Sequence, residues 1–141
     1  MNKCEGEKMC EIVKINLPSK PEHVAIARLT ASVLANQCGF DIEDIEDIKV
    51  AVGEACNNAV LHTGSNSTHY EIVYTITDTE FKVEIIDRGS GFNISNYHEP
   101  NLEEPAVGGL GIFIMKSLMD DVKLTSIPEE GTAITLIKNI V

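Results

Sequence analysis

Two runs of alternating apolar residues, 70–77 and 80–86, are separated by only two residues, Asp78 and Thr79. Alternation with a period of two is typical of strands that bury one face. A two-residue link joins such strands as an antiparallel hairpin, because parallel strands need a much longer crossover. The chain is therefore predicted to contain a mixed or antiparallel sheet.

Helical patterns and three further strands flank this hairpin. In chain order these predicted elements are a strand at 9–17, a helix that opens at Pro21 and closes at Gly39, a helix capped by Asp41, a helix at 109–119, and strands at 121–126 and 132–140. Helices on one face of a mixed, mostly antiparallel sheet give an α+β fold, a two-layer sandwich. Residues 1–8 are expected to form a flexible N-terminus, and residues 9–141 a single domain.

Charge and composition limit what this domain binds. The formal net charge is -11, which argues against direct nucleic-acid binding because that requires a cationic surface. No run of 18 apolar residues occurs, so no membrane span is predicted and the cytoplasm is the expected location. The sequence contains only two arginines, Arg28 and Arg88. A bound polyphosphate would therefore depend on backbone N–H groups, a helix N-terminus and a divalent cation.

The cysteines, Cys4, Cys10, Cys38 and Cys56, have no C-x-x-C spacing. In a cytoplasmic protein they are expected to be free thiols rather than a zinc site or a redox pair. Cys38 and Cys56 also fall in helical patterns, where a thiol is expected to pack as a small core residue.

A carboxylate and an amide lie one turn apart on the second predicted helix. Glu54 and Asn58 project from the same side of it, away from the apolar face that contains Ile48 and Val52. Burying such a polar pair is costly without partners, and a solvated helix edge would avoid that cost. In a phosphate site, Asn58 would ligate Mg²⁺ through oxygen, and Glu54 would accept a proton beside the terminal phosphate.

The segment Asp87-Arg-Gly-Ser-Gly91 follows the second strand of the hairpin. Gly89 and Gly91 permit backbone conformations and close ligand contacts that other residues do not. Aspartate and glycine are also common in ordinary turns, so the segment alone is compatible with a simple loop. In a nucleotide site, Asp87 would accept a hydrogen bond from the adenine amino group.

A third segment, Gly108-Gly-Leu-Gly111, precedes an apolar helix. Glycines at a helix N-terminus expose N–H groups to phosphate and let the backbone approach it closely. No Gly-Lys-Ser/Thr follows, so the segment is not a P-loop. The polar stretch 92–107 before it is long for a loop in a compact domain, and such loops are often lids over a ligand.

The three segments, in this order, resemble the Bergerat-fold (GHKL) ATPases over roughly residues 10–140. Residues 54–58 are similar to the N box, 87–91 to the G1 box and 109–111 to the G2 box, while Gly131-Thr132 is similar to the late Gly-Thr of the adenine site. The resemblance is closer still to the serine-kinase anti-sigma factors of the anti-sigma-B and anti-sigma-F type. The stretches that support it are 26–30, 54–62 and 115–122.

This resemblance implies ATP and Mg²⁺ as cofactors, with Glu54 as the general base for a serine hydroxyl and Asn58 as the magnesium ligand. The other implied nucleotide contacts are Asp87, with Gly91 and Thr132, at adenine, Gly109 and Gly111 at the triphosphate, and Gly89 and Gly108 in the same turns. Arg28 matches a position of partner contact, although an ordinary surface arginine fits the pattern equally well. The implied partners are a sigma factor and an anti-anti-sigma protein, the substrate of a homodimeric kinase.

Two other functions use the same segments. The catalytic half of a histidine kinase needs a helical dimerisation segment with a phosphoacceptor histidine, and none is expected before Met9. Such enzymes also commonly carry asparagine at the position of Glu54. A regulatory module that captures a partner without turnover is the other alternative. Glu54 favours a kinase that acts on a hydroxyl, because a hydroxyl must lose a proton and a reactive histidine needs no base for this.

Overall fold

The computed structural model describes residues 10–62, 69–88, 109–127 and 131–141. In chain order its elements are β1 (Cys10–Pro18), a 3-10 turn (Pro21–His23), α1 (Val24–Gln37), α2 (Ile42–His62), β2 (His69–Thr77), β3 (Glu80–Asp87), α3 (Gly109–Leu118), β4 (Asp121–Ile127) and β5 (Gly131–Asn139). The predicted elements are confirmed, with ends that differ by a few residues. The first helix opens with the 3-10 turn that contains Pro21 before α1 begins.

The five strands form one sheet in the order β1-β2-β3-β5-β4. All neighbouring strands pair antiparallel, so the sheet is antiparallel rather than mixed. The predicted β2–β3 hairpin is confirmed. At its turn, the Oγ1 atom of Thr77 accepts hydrogen bonds from the backbone N–H groups of Thr79 at 3.3 Å and Glu80 at 3.2 Å.

Alternate side chains of the central strands are buried and belong to one core with the helices. The buried positions in these two strands are Tyr70, Ile72, Tyr74, Ile76, Phe81, Val83 and Ile85. The residues between them in β3, such as Lys82 and Glu84, are half-buried. The sheet therefore has an apolar face towards the helices and a mixed polar face on its other side, as the period of two predicts.

Helix α2 lies in contact with both α1 and α3. Its start is capped as predicted, since Asp41 Oδ1 accepts a hydrogen bond from the backbone N–H of Asp44 at 2.8 Å. The preceding helix ends before Gly39, whose φ of 87° suits glycine. Along the described part of the chain, no helix combines the length and apolar character needed to span a membrane.

The cysteines differ from one another in the structure. Cys38 is partly buried and Cys56 is buried, and both are free, as expected. Cys10 in β1 is disulfide-bonded, so the expectation of free thiols is wrong for this residue. Sequence spacing is a poor guide here, because a disulfide requires only that two cysteines approach in space.

Several predicted features lie outside the described residues. They are the N-terminus at 1–8, the lid at 92–107, and the three glycines Gly89, Gly91 and Gly108. They stay predictions.

Candidate nucleotide and phosphotransfer site

The first half of the site is the end of the sheet where β3 stops and β5 starts. Tyr70 pairs with Asp87 across β2 and β3, and Asp87 pairs with Thr132 across β3 and β5. All three residues are buried, and Asp87 is only 3% exposed. The next row on the same face of the sheet, formed by Ile72, Ile85 and Ile134, is wholly apolar. A buried carboxylate therefore lies at the end of the apolar core. Such a carboxylate is suited to accept a hydrogen bond from a donor group of a ligand.

Gly131 brings the start of β5 close to the end of β3. Its φ is +126°, and a Cβ atom at this position would overlap the carbonyl oxygen of Asp87 and lie 2.7 Å from the Cα atom of Arg88. Only glycine fits this contact without displacing backbone. A cavity of about 230 Å³ opens here, with Asp87, Gly131 and Thr132 in its wall. The predicted adenine contacts Asp87 and Thr132 are thus brought together.

The second half of the site lies between α2 and the start of α3. A Cβ atom on Gly111 would lie 3.0 Å from Oε2 of Glu54 and 3.7 Å from Oδ1 of Asn58. Asn58 is 6% exposed, while Glu54 is half-buried. The absence of a side chain at Gly111 therefore allows the start of α3 to lie directly against a carboxylate and an amide. The structure thus brings together three residues that were predicted from separate segments, Glu54, Asn58 and Gly111.

This arrangement fits a magnesium-bound triphosphate. Helix α3 starts at Gly109, so its first backbone N–H groups and its positive dipole end are next to Glu54 and Asn58. A phosphate is stabilised by such N–H groups, and Mg²⁺ takes an amide oxygen together with phosphate oxygens. A side chain at Gly111 would press on the Glu54 carboxylate at this point. The residues present therefore suit ATP with Mg²⁺.

A cleft of about 360 Å³ continues from this point along the outer side of α2. We call it the outer cleft. Its wall is formed by Glu54, Asn57, Asn58 and Gly111 on the polar side and by Pro21, Val60 and Leu61 on the apolar side. The general-base candidate thus lies in a cleft that extends along α2 as far as Leu61.

Arg28 lies on the exposed surface of α1. The aliphatic part of its side chain crosses α2 next to Gly53, where a Cβ atom would lie 3.0 Å from the Cδ atom of Arg28. Gly53 immediately precedes Glu54 in the helix, so Arg28 crosses α2 one residue before the candidate base. This placement is compatible with the predicted contact to a partner.

Pro21 and Leu61 were not predicted as site residues. A signal for Leu61 exists in the sequence, since it lies seven residues after Glu54 and therefore on the same side of α2. The sequence contains no comparable signal for Pro21, because its position depends on how the turn before α1 packs against α2. Tyr70 was also missed, since its register with Asp87 is a property of the folded sheet.

The chain matches the family described as Histidine kinase-like ATPase domain over residues 17–138. This span contains α2, α3 and the strand ends that form the site, so fold and site together define an ATP-binding domain of this class.

Two relatives identify the family within this class. The serine-protein kinase RsbW of Oceanobacillus iheyensis is 39% identical over 140 residues, which cover 92% of this chain and 87% of the relative. The serine-protein kinase RsbW of Listeria monocytogenes serotype 4a is 34% identical over 142 residues, which cover 94% of this chain and 89% of the relative. The chain belongs to the RsbW family of serine-protein kinases, and the predicted resemblance is confirmed.

Two solved structures share the fold. One contains the RsbU and RsbW domains of a Mycobacterium tuberculosis protein, with a TM-score of 0.69 and 20% identity over 91% of this chain and 32% of that one. The other is the histidine kinase domain of a blue-light activated kinase from Erythrobacter litoralis, with a TM-score of 0.55 and 15% identity over 88% of this chain and 62% of that one. At such identities the likeness shows the fold alone, and it confirms the predicted α+β class.

Proposed function

We propose that this chain is an ATP-dependent protein serine kinase. The observation that carries the proposal is the meeting of Glu54, Asn58 and Gly111 at the start of α3. It places a candidate base, a candidate magnesium ligand and the N–H groups of a helix N-terminus around one open space. Positioning and electrostatic stabilisation are what phosphoryl transfer needs from a protein.

Each residue has a definite role in this proposal. Asp87 and Thr132 orient the adenine at the end of the sheet, and the α3 N-terminus at Gly109 and Gly111 holds the phosphates. Asn58 would hold Mg²⁺, which would supply charge neutralisation for the transferring group. Glu54 accepts the proton of the attacking hydroxyl, a contribution of about 10²–10⁴ in rate for a positioned base. The glycines Gly89, Gly91 and Gly108 are proposed to complete the nucleotide contacts.

The proposed regulatory role is that of an anti-sigma factor. The kinase would sequester a sigma factor and phosphorylate a STAS-type anti-anti-sigma protein on serine, as a homodimer in the cytoplasm. A surface on α1 supports protein partners, since Ile26, Leu29 and Val33 form an exposed apolar stripe on the same helix as Arg28. Three large aliphatic side chains on the outer face of one short helix are typical of an interaction site.

The test is phosphotransfer from γ-labelled ATP to a partner recovered from native cytosol by pull-down with the chain. We expect wild type to label a small partner protein on serine. We expect Glu54→Gln to lose transfer by about two orders of magnitude or more while it retains ATP binding by calorimetry. Glu43→Gln, which neutralises an exposed carboxylate of the same helix, is the matched control and should transfer normally.

Other outcomes would support other functions. Equal transfer by wild type and Glu54→Gln would remove the general-base role. ATP-dependent capture of partners without any phosphate transfer by wild type would favour a nucleotide-gated binding module. Labelling of a histidine would favour the histidine-kinase alternative.

A further inference from the structure

The outer cleft has two chemically different halves. Its inner half is polar and contains Glu54 and Asn58, next to Gly111. Its outer half is apolar and contains Pro21 and Leu61. Leu61 is 64% exposed, so an apolar group of a partner that covers this side chain would be stabilised by removing both from water. The nucleotide roles described above use only the inner half.

Helix geometry places both halves on one stripe of α2. Glu54, Asn57 and Leu61 are separated by three and seven residues, so they share the side of the helix that faces away from the sheet. The opposite side, with Ala55, Cys56 and Ala59, is buried in the core. The stripe is therefore open to a macromolecule that approaches from outside.

If Glu54 is the general base, the acceptor segment of a protein substrate reaches this stripe at Glu54, so the inference rests on the proposed function. The acceptor hydroxyl has to come within hydrogen-bond reach of the Glu54 carboxylate. The rise from Glu54 to Leu61 is about 10 Å along the helix axis. An extended peptide covers this distance in about three residues. A substrate segment that follows α2 from Glu54 would therefore place a residue two or three positions from the acceptor serine at Leu61.

We infer that the outer cleft is the acceptor subsite, in which Pro21 and Leu61 hold an apolar side chain two or three residues away from the acceptor serine. Asn57, exposed between Glu54 and Leu61, faces the backbone of the same segment. An acidic residue at that position of the substrate is disfavoured, because it would lie against aliphatic side chains and near the Glu54 carboxylate. Leu61 is thereby a specificity-determining residue that acts on the protein substrate and not on ATP.

The test is steady-state phosphorylation of a purified STAS-type anti-anti-sigma protein, with separate KM values for the acceptor and for ATP. Loss of an apolar contact worth about 1.5–3 kcal/mol corresponds to about a 10- to 100-fold change. We expect Leu61→Glu to raise the acceptor KM by about this factor, while the ATP KM and ATP affinity stay unchanged. Leu61→Met should restore the wild-type acceptor KM.

Ile42→Glu is the matched control. Ile42 is an aliphatic residue of the same helix, is 79% exposed, and lies at the opposite end of α2 from the outer cleft. The Ile42→Glu variant should leave the KM for the acceptor and the KM for ATP unchanged. A second measurement replaces each of the three residues on either side of the acceptor serine by lysine. One such lysine should recover activity with Leu61→Glu, since it would pair with the introduced carboxylate.

Two results would overturn the inference. One is the same acceptor KM for Leu61→Glu and Ile42→Glu. The other is a rise in the ATP KM for Leu61→Glu, which would assign the whole cleft to the nucleotide. A wild-type protein that phosphorylates no hydroxyl at all would instead overturn the proposed function, and the acceptor subsite with it.

Discussion

The backbone of Gly111 lies directly against the carboxylate of Glu54: a Cβ atom on Gly111 would be 3.0 Å from the Oε2 atom. The contact joins two parts of the chain that are far apart in sequence, the middle of α2 and the first turn of α3. Glycine is needed here because a side chain would collide with the carboxylate, and not because of an unusual backbone conformation. The size of this residue therefore controls the position of the candidate base.

Replacement of Gly111 by alanine tests this control. The added methyl group would push the Glu54 carboxylate away from its position, and a displacement of about 1 Å can lower a rate by about two orders of magnitude. Alanine is favoured over glycine within a helix by about 1 kcal/mol. We therefore expect Gly111→Ala to lose phosphotransfer at saturating acceptor without a fall in the free energy of unfolding, measured by urea denaturation.

Gly53→Ala is the control for this change, because it also adds a methyl group to a helix next to the site. Its Cβ atom would meet the Cδ atom of Arg28 at 3.0 Å, and that flexible side chain can move aside. We expect kcat at saturating acceptor to be retained. Equal losses of kcat in the two variants would contradict a specific role for the space at Gly111.

Substitution of Asp87 by asparagine should weaken nucleotide binding and leave the fold intact. The amide has nearly the shape of the carboxylate but lacks the charge that strengthens a hydrogen bond from adenine. A hydrogen bond to a charged group contributes about 1.5–3 kcal/mol, so the Kd for ATP should rise by about 10- to 100-fold. Calorimetry with ATP and with ADP measures the Kd. Asp78→Asn, in the hairpin turn at the other end of β3, should bind as wild type does; unchanged affinity in Asp87→Asn would refute the adenine contact.

The sequence predicted those parts of the site that depend on local pattern. The link at Asp78 and Thr79 predicted the antiparallel hairpin, and the four-residue spacing of Glu54 and Asn58 predicted their common side of α2. Helical periodicity and turn chemistry are short-range properties, so they can be read without a structure. The family resemblance added the expectation that Gly111 borders the triphosphate, and in the structure this glycine lies against Glu54 and Asn58.

Other features depend on tertiary placement and could not be predicted. The outer cleft combines Pro21, in the turn before α1, with Leu61 at the end of α2. The row that joins Tyr70 to Asp87 depends on strand register, which a shift of one residue would invert. The contact of Lys138 with the last turn of α3 is equally invisible in the sequence, since strand alternation explains its burial but does not identify its partner.

Lys138 is predicted to stabilise the fold by capping α3. Its Nζ atom donates a hydrogen bond to the carbonyl oxygen of Leu118 at 2.7 Å and lies 3.7 Å from Oδ1 of Asp44. Its side chain is only 12% exposed, and a cation at a helix C-terminus is favourable. We expect Lys138→Met to lower the free energy of unfolding by about 1–2 kcal/mol, measured by urea denaturation at neutral pH.

Lys123→Met is the matched control for this prediction. Lys123 lies 3.9 Å from Asp121 with both side chains more than half exposed, and exposed ion pairs contribute about 0–1 kcal/mol. The control should therefore differ little from wild type. A destabilisation of similar size in both variants would show that the capping contact has no special effect.

Alkaline pH should destabilise the protein through Cys56. Burial in the core raises the pKa of the Cys56 thiol to about 12, whereas in an unfolded chain the pKa is about 8.5. The folded state therefore holds its proton where the unfolded state releases it. This contribution to stability is fully present below about pH 8.5 and is lost as the pH rises towards 12, at up to about 1.4 kcal/mol per pH unit.

Urea unfolding at several pH values between 8 and 10 measures this effect, by the change in the free energy of unfolding with pH. We expect this free energy to fall more steeply for wild type than for Cys56→Ala, which has no thiol to titrate. Burial also raises the pKa of Cys38, but this thiol is only partly buried, so Cys38→Ala should flatten the curve less. Burial likewise raises the pKa of Tyr70 and Tyr74, and these phenols add to the slope only above about pH 10. Parallel curves for wild type and Cys56→Ala between pH 8 and 10 would contradict the prediction.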